Sequence, residues 1–457
     1  MNNEKLKESV SAVFTYENQV FGIKRPAHLP VFPGYFATPG GKVDAVDFEG
    51  EDLPDFFSAT RPELMRALIR EVKEELGVDL IKLYEQDKLN FVSFYGEAIT
   101  PIFNPYRFRN TYIRIDVKEK IEFILDKNEV DFGEWGSPAD FIAKFDRALL
   151  LAVPPAIRIL KQLELANSFK GPIDFSSPQD FEIEVPEIES LKGVKQFLPL
   201  SHTFPPANRT NSFLIGDLDS RKLLIDPSPK PSEWEKYLNT INKYEIDAIF
   251  ITHHHPDHYE LADELARFKK LPMLMSNITY QRILKKKSLD FFYGISIEFM
   301  KEGDVVTKSL GEEVVVYEVP GHDDGQLALA PRNLNWFLVG DLIQTIGTVV
   351  IGDDEGNMSD YFKTLNRVID LNPKYLIPSH GIIIGGTHKL KQTLMHRQMR
   401  EDEILSLINR HKNFHQIIDT IYHGLDQKLI PYAEKTIKAH IDKLVLDGKV
   451  NCLKLPN

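Results

Sequence analysis

The chain has 457 residues, with 55 Lys plus Arg against 67 Asp plus Glu, a net charge of −12, and 42% apolar residues. At about 150 residues per domain, this length points to about three folding units, and the composition is that of a globular protein able to bury a core. A single cysteine, Cys452, excludes an internal disulfide framework and a cysteine-built zinc cluster, so a metal centre must draw on His and carboxylates.

The opening Met1-Asn2-Asn3-Glu4-Lys5 lacks the apolar stretch of a signal peptide, and no run approaches the about 18 apolar residues of a membrane span. The expectation is a cytoplasmic protein with no membrane partner. Histidine is unevenly placed: six of 14 lie at 253, 254, 255, 258, 322 and 380, and six more between 388 and 440. Residues 388–457 hold 12 Lys plus Arg against 8 Asp plus Glu, so this stretch carries +4 and the rest −16.

In chain order, residues 9–48 alternate apolar runs such as Val20-Phe21-Gly22-Ile23 with turn residues, which predicts strands ending in the turn Pro39-Gly40-Gly41. From Arg61 to Leu76 the apolar residues Leu64, Leu68, Val72 and Leu76 recur every four, predicting a helix capped by Gly77. Glu71, Glu74 and Glu75 share one face of it. Such carboxylates repel by a few tenths of a kcal/mol per pair unless a cation sits among them, and a hard divalent ion is the natural partner. A solvated acidic face is the plainer alternative.

The string Arg70-Glu71-Val72-Lys73-Glu74-Glu75-Leu76-Gly77-Val78 resembles the second half of the Nudix box, with Gly40-Gly41 as its preceding turn. In the first half, the Glu expected eight residues before Arg70 is Pro62, while Asp47 stands at the right distance from Gly41 and is followed by an insertion. Lys24-Arg25-Pro26, Phe32-Pro33-Gly34, Thr38 to Asp44, Ile99-Thr100-Pro101, Tyr106-Arg107-Phe108, Trp135 and Val153-Pro154-Pro155 are similar to Nudix members of the coenzyme A diphosphohydrolase type. The resemblance implies an α/β/α sandwich over residues 1–165. It further implies Mg²⁺ or Mn²⁺ on Glu71, Glu74 and Glu75, catalytic roles for Glu74 and Glu75, and cofactor contacts at Gly40, Gly41 and Arg70. The reaction it implies is hydrolysis of a nucleoside-linked diphosphate. Residues 166–190, polar and interrupted by Pro172, Pro178 and Pro186, predict a linker.

Residues 247–258 form an apolar strand running into His253-His254-His255-Pro256-Asp257-His258, with a helix starting near Asp257. His253 and His255, two apart, project to one side, while Asp257 and His258 can turn to a neighbouring position, so two adjacent metal positions follow. His322, Asp341, His380 and Asp226 each sit just past the C-terminal end of an apolar strand, where separated residues converge. A lone loop His reads as a hydrogen-bonded surface group, but so many metal-competent residues in this pattern do not. His254 should point away and serve a structural end.

This constellation resembles the metallo-β-lactamase superfamily over residues 191–387. The resemblance implies a four-layer αββα sandwich with two Zn²⁺ or other divalent transition metals, one on His253, His255 and His322 and one on Asp257, His258 and His380. Asp341 matches the bridging carboxylate and Asp226 a buried Asp that steadies the His loop. Metal-assisted hydrolysis with Asp257 in a catalytic role is the chemistry it implies.

Thr210 to Gly216, Gly340-Asp341 through Gly347-Thr348 to Tyr361-Phe362, Ser379-His380-Gly381 and His396-Arg397 with Arg400-Glu401 resemble the β-lactamase-like protein 2 branch, whose members end in a winged-helix-like domain. Asp323-Asp324-Gly325-Gln326 stands where Thr-Pro-Gly-Ser is common, and two carboxylates beside the site would repel a phosphodiester.

Residues 388–457 predict helices around Ile404 to Ile408, Ile417 to Ile421 and Ile437 to Leu444 and a strand near Val450, a winged-helix-like module. Its lysines Lys435, Lys438, Lys443 and Lys449 lack an interleaved aromatic pattern, so a structural cap or a homodimer surface is the plainer reading than RNA binding. Its histidines are expected at the surface.

The fold expected is therefore a multidomain α/β protein. The leading function is a dinuclear-metal hydrolase with an attached Nudix-like diphosphate hydrolase, taking a small-molecule nucleotide-linked or thioester substrate such as acyl-coenzyme A. One alternative is an endoribonuclease for single-stranded RNA. Another, motivated by Pro62, is a hydrolase regulated by a non-catalytic nucleotide-sensing Nudix module.

Overall fold

The computed structural model describes residues 6–101, 107–165, 171–175, 177–410 and 412–451; Tyr106, His411 and Cys452 lie outside them. The chain forms two compact units, Met1–Asp180 with Ile188–Lys192, and Phe181–Glu187 with Gly193–Asn457.

In the first unit, a mixed sheet runs in the order Phe36–Ala37, Gln19–Lys24, Lys7–Tyr16, Phe108–Val117, Leu89–Ile99 and Ile173–Asp174. Gly40–Lys42 also pairs with Lys7–Tyr16, and Phe132–Gly136 with Gln19–Lys24. The central pair is parallel, Val10 opposite Thr111 and Ala12 opposite Ile113. Alternation along Lys7–Tyr16 divides the core. Val10, Ala12 and Phe14 pack with Leu64, Leu68, Val72 and Leu76 of helix Pro62–Leu76. Val13 packs on the other face with Phe141 and Phe145 of helix Pro138–Asp146 and Ile157 and Leu160 of helix Pro154–Leu165. A sheet between two helical layers is the α/β/α sandwich, and each of those buried leucines is worth about 2 kcal/mol. Pro62 is the first residue of its helix, where its missing N–H costs nothing, and Gly77 closes it with φ 66°.

The second unit holds two sheets. One runs Ile297–Phe299, Met273–Met275, Ala248–Phe250, Leu223–Ile225, Ser212–Ile215 and Val194–Phe197, parallel over its first four strands. The other runs Val305–Ser309, Glu312–Glu318, Leu327–Pro331, Trp336–Gly340, Tyr375–Pro378 and Ile384–Gly385. Helices Trp234–Ile241, Ala262–Lys269 and Asn277–Lys287 cover one face of the first sheet through Leu224, Ile249 and Met273. Helix Met358–Leu371 covers one face of the second through Ala328, Phe337 and Leu376. The alternate residues Ile225, Phe250, Leu329 and Leu338 are equally buried, so the uncovered faces close on one another as the inner layers of an αββα sandwich.

In the described part of 166–190, Ile173–Asp174 pairs with Leu89–Ile99, and the Val185 N–H donates to Thr240 Oγ1 at 3.0 Å. The segment's prolines interrupt regular structure without preventing packing. The tail from 388 has a core of its own and also packs on the second sheet's helix, as a cap would. Helices His388–Asn409 and Ile430–Leu446 pack on Met358–Leu371, and Leu390 and Ala439 join the core of the second sheet, while Ile404, Ile417, Ile437 and Leu444 form a smaller core of their own. No strand forms at Val450; its N–H turns back toward the Leu444 carbonyl at 3.3 Å. Among the described residues, no helix is long and apolar enough to cross a membrane.

Candidate metal centre and glutamate helix

Each expected ligand of the second unit arrives at a strand end. Strand Ala248–Phe250 delivers the His253–His258 loop, which ends in the short helix Pro256–Tyr259 carrying Asp257 and His258. Strands Trp336–Gly340 and Tyr375–Pro378 deliver Asp341 and His380, and Glu312–Glu318 leads to His322.

These side chains converge. His255 Nδ1 lies 3.0 Å from both His253 Nε2 and His322 Nε2. Asp341 Oδ2 lies 3.4 Å from His380 Nε2 and 3.7 Å from the Nε2 atoms of His258 and His322. Asp257 Oδ2 lies 3.5 Å from His380 Nε2 and 3.8 Å from His258 Nε2. The ligand atoms of His253, His255 and His322 fall within 4.8 Å of one another, as do those of Asp257, His258 and His380, and those of His253, His258 and Asp341.

The outward ring nitrogens are fixed. His258 Nδ1–H donates to Asp226 Oδ2 at 2.8 Å, His322 Nδ1–H to the Val350 carbonyl at 2.8 Å, and His380 Nδ1–H to the Arg209 carbonyl at 3.0 Å. Thr252 Oγ1 gives its proton to Asp226 Oδ2 at 2.6 Å, so it accepts from His253 Nδ1 at 3.0 Å. In a neutral ring, each such bond leaves the opposite nitrogen as a bare lone pair aimed inward, the state a metal requires. Asp226 itself sits at φ 47°, a conformation Asp tolerates, and also takes the Thr252 N–H at 2.8 Å.

Burial, reinforced by His255, pushes His322 down to about 4, and burial with its imidazole neighbours holds His253 well below the usual range. Burial opposes ionisation of Asp341 and Asp257, yet the facing histidines outweigh it and hold both carboxyls low. His258 Nε2 and Asp341 Oδ1 are buried with no hydrogen-bond partner. Orphaned polar atoms of this kind are costly, and a cation between them removes the cost. A divalent metal therefore fits this donor set, and five imidazoles with two carboxylates suit zinc better than a hard ion.

His254 does point away, hydrogen-bonding through Nδ1 to the buried Asp323. Asp324 meets Arg282 through Nε at 2.8 Å and Nη2 at 2.5 Å. The two carboxylates expected to repel a phosphodiester are thus both engaged by basic partners, and that argument falls. Glu355 was missed: its Oε1 lies 3.6 Å from His255 Nε2, brought there by a turn with no periodic signal.

In the first unit, Arg70 is wholly engaged by protein. It donates to Asp47 Oδ1 at 3.1 Å and Oδ2 at 2.9 Å, Glu71 Oε1 at 2.8 Å, Glu74 Oε2 at 3.1 Å and the Lys42 carbonyl at 2.9 Å. The Gly40 N–H donates to Glu75 Oε2 at 2.8 Å, and a Cβ on Gly41 would stand 2.2 Å from the Glu71 carboxylate. Burial raises both Glu71 and Glu75, the latter to about 8 despite the Gly40 N–H, so ionising them calls for a nearby cation. Glu74 is exposed, and among the described residues the three glutamates do not form a mutually close ligand trio as the histidine loop does.

Fold and site together define a hydrolase carrying a Nudix domain, a metallo-β-lactamase domain and a winged-helix domain. Residues 5–153 match the NUDIX domain, residues 205–380 the Metallo-beta-lactamase superfamily, and residues 414–453 the Beta-lactamase associated winged helix domain. The chain is similar to the beta-lactamase-like protein 2 homolog of Drosophila melanogaster, 26% identical over 272 residues covering 54% of this chain and 85% of that protein. It is 29% identical over 136 residues to a hydroxyacylglutathione hydrolase of Bdellovibrio bacteriovorus, 30% of this chain and 49% of that one. A beta-lactamase domain protein from Burkholderia ambifaria shares the fold at TM-score 0.50 and 20% identity, over 59% of this chain and 92% of its own.

Proposed function

We propose that the second unit hydrolyses a thioester or ester at a two-zinc centre and that the first hydrolyses a diphosphate with Mg²⁺ or Mn²⁺, both acting on one small molecule of the acyl-coenzyme A kind. The observation that carries the first half is the inward convergence of His253, His255, His258, His322 and His380 on Asp341, with the outward nitrogens of four of these rings fixed by hydrogen bonds. His253, His255 and His322 would hold one ion, Asp257, His258 and His380 the other, and Asp341 would bridge them. Bound metal supplies an acidified water and charge to offset a developing oxyanion. Asp257, which accepts from the Thr210 hydroxyl at 3.0 Å, would orient the attacking water and take its proton, then return it to the thiol or alcohol that leaves as the C–S or C–O bond breaks. The relative named for hydroxyacylglutathione supports an acyl group on sulfur.

For the first unit, the buried Glu75 and the half-buried Glu71 are the carboxylates a cation would relieve, and Glu74 reaches solvent, where a diphosphate would enter. Gly40 and Gly41 shape the turn against these glutamates, and Arg70 holds the helix in place.

The test is full-length protein with Zn²⁺ and Mg²⁺ on acyl-coenzyme A. Free thiol should disappear in Asp257→Ala, and phosphopantetheine-containing product in Glu75→Gln, each variant keeping the other activity. Single-stranded RNA in a parallel arm covers the nuclease alternative. Neither product from the wild type would overturn the proposal, and diphosphate binding without turnover would make the Nudix domain a sensing module.

A further inference from the structure

Arg397, on helix His388–Asn409, is 3% exposed, and burying a guanidinium is expensive unless its donors are placed. It donates through Nη2 to the Val349 carbonyl and lies over the Tyr361 ring, 5.7 Å from its centroid. The next carbonyl, Val350, accepts from His322 Nδ1 at 2.8 Å, and the Tyr361 hydroxyl donates to the Leu342 carbonyl at 2.7 Å, one residue from Asp341. Farther along the same segment, Lys435 of helix Ile430–Leu446 holds Asp353 Oδ2 at 2.6 Å. Gly352 packs so closely on Lys435 that a Cβ there would come within 2.6 Å of the lysine Cβ. Two residues beyond Asp353, Glu355 faces the outward nitrogen of His255.

We propose that Arg397 and Lys435 are positioning residues for the three-histidine metal position: they hold the segment Val349–Glu355, which in turn orients His322 and His255. The C-terminal helices are thus part of that metal position as well as a cap. The companion position does not depend on them, because Asp257, His258 and His380 are anchored by Thr210, Asp226 and the Arg209 carbonyl. The inference rests on the two-metal reading above.

Both can be tested by Co²⁺ titration of the full-length apo-protein, read by absorbance. His380→Ala leaves the three-histidine position, and His322→Ala leaves the other. Adding Arg397→Met should weaken Co²⁺ binding about 10–100-fold in the His380→Ala background, the usual effect of removing a ligand's support, and leave the His322→Ala background unchanged. Lys435→Met removes a half-exposed pair and should act in the same background, more weakly, with the fold intact by circular dichroism. Equal weakening in both backgrounds, or none in His380→Ala, would overturn the proposal. If the unmutated apo-protein took up only a single equivalent of Co²⁺, the two-metal reading itself would fail.

Discussion

Asp47 grips Arg70 with both carboxylate oxygens, at 3.1 and 2.9 Å, across 23 positions of sequence. Burial works against the Asp47 charge, but Arg70 and the Asp44 N–H outweigh it and hold its pKa below the ordinary carboxylate value. The pair ties the turn after Gly40–Lys42 to the glutamate helix, around an insertion whose Phe57 is buried in the core. Asp47→Ala strands Arg70 among fewer partners and should cost about 3 kcal/mol, the scale for breaking a largely buried pair. Urea unfolding of the full chain with Trp234 and Trp336 replaced by Phe, followed by the fluorescence of the remaining Trp135, measures it against the same background with Asp47 intact; an unchanged midpoint would remove the pair from the account.

Asp226→Asn keeps the shape of the carboxyl group but replaces one acceptor oxygen with an amide donor, while His258 Nδ1, Thr252 Oγ1 and the Thr252 N–H all need acceptors. The His258 ring loses its fixed tautomer. Zinc affinity measured by competition with a chromophoric chelator should fall about 10–100-fold while the melting temperature of the apo-protein moves far less.

Gly321 has φ 134°, and a Cβ there would lie 2.3 Å from Tyr361 Cα. Gly321→Ala therefore meets both backbone strain and overlap, and should destabilise the second unit by about 2–3 kcal/mol. Because His322 is the next residue, bound zinc should drop as well, and metal analysis after dialysis reads that directly.

His440 was expected at the surface and is instead fully buried, while His388, His396, His415 and His423 are exposed. Burial lowers the His440 pKa, aided by Arg397 and Arg400 and opposed by Glu401. Glu401 is also buried, yet His440 and Lys443 bring its carboxyl down to about 2, with Lys449 Nζ 3.4 Å away. Both groups bind protons more readily when unfolded, His440 below its ordinary value of 6.5 and Glu401 between 4.5 and about 2. Stability present at neutral pH is therefore lost as pH falls. The tail should loosen between pH 7 and 5, seen as falling amide protection factors in Ile430–Leu446, and His440→Leu should flatten that dependence. A wild-type tail indifferent to pH over this range would contradict it.

The parts legible in sequence were those written in short periods: the four-residue spacing of Leu64 to Leu76, and the His-x-His-x-Asp-His string at a strand end. What escaped was set by residues that meet only after folding. Glu355 and Arg397 reach the histidines through a turn and a neighbouring helix, and His440 is buried because helices from three stretches close over it. Composition marked 166–190 as polar and proline-broken, which is true of a connector and equally of a strand edge woven into its neighbours. Pro62, which stands where the family pattern has a Glu, begins the helix, and Asp47 meets Arg70 from farther away.

The two sheets also impose an order on when this enzyme can exist. In the assigned ligand set each ion draws from both sheets: His253 and His255 from the first with His322 from the second, Asp257 and His258 from the first with His380 from the second. A ribosome that has made only the first sheet has made no complete metal position, and the second ion must wait until His380 has left the exit tunnel and its strand has docked. On that assignment a nascent chain could already carry the diphosphate hydrolysis proposed for the first unit, while the two-metal position would be complete only when the sandwich closes.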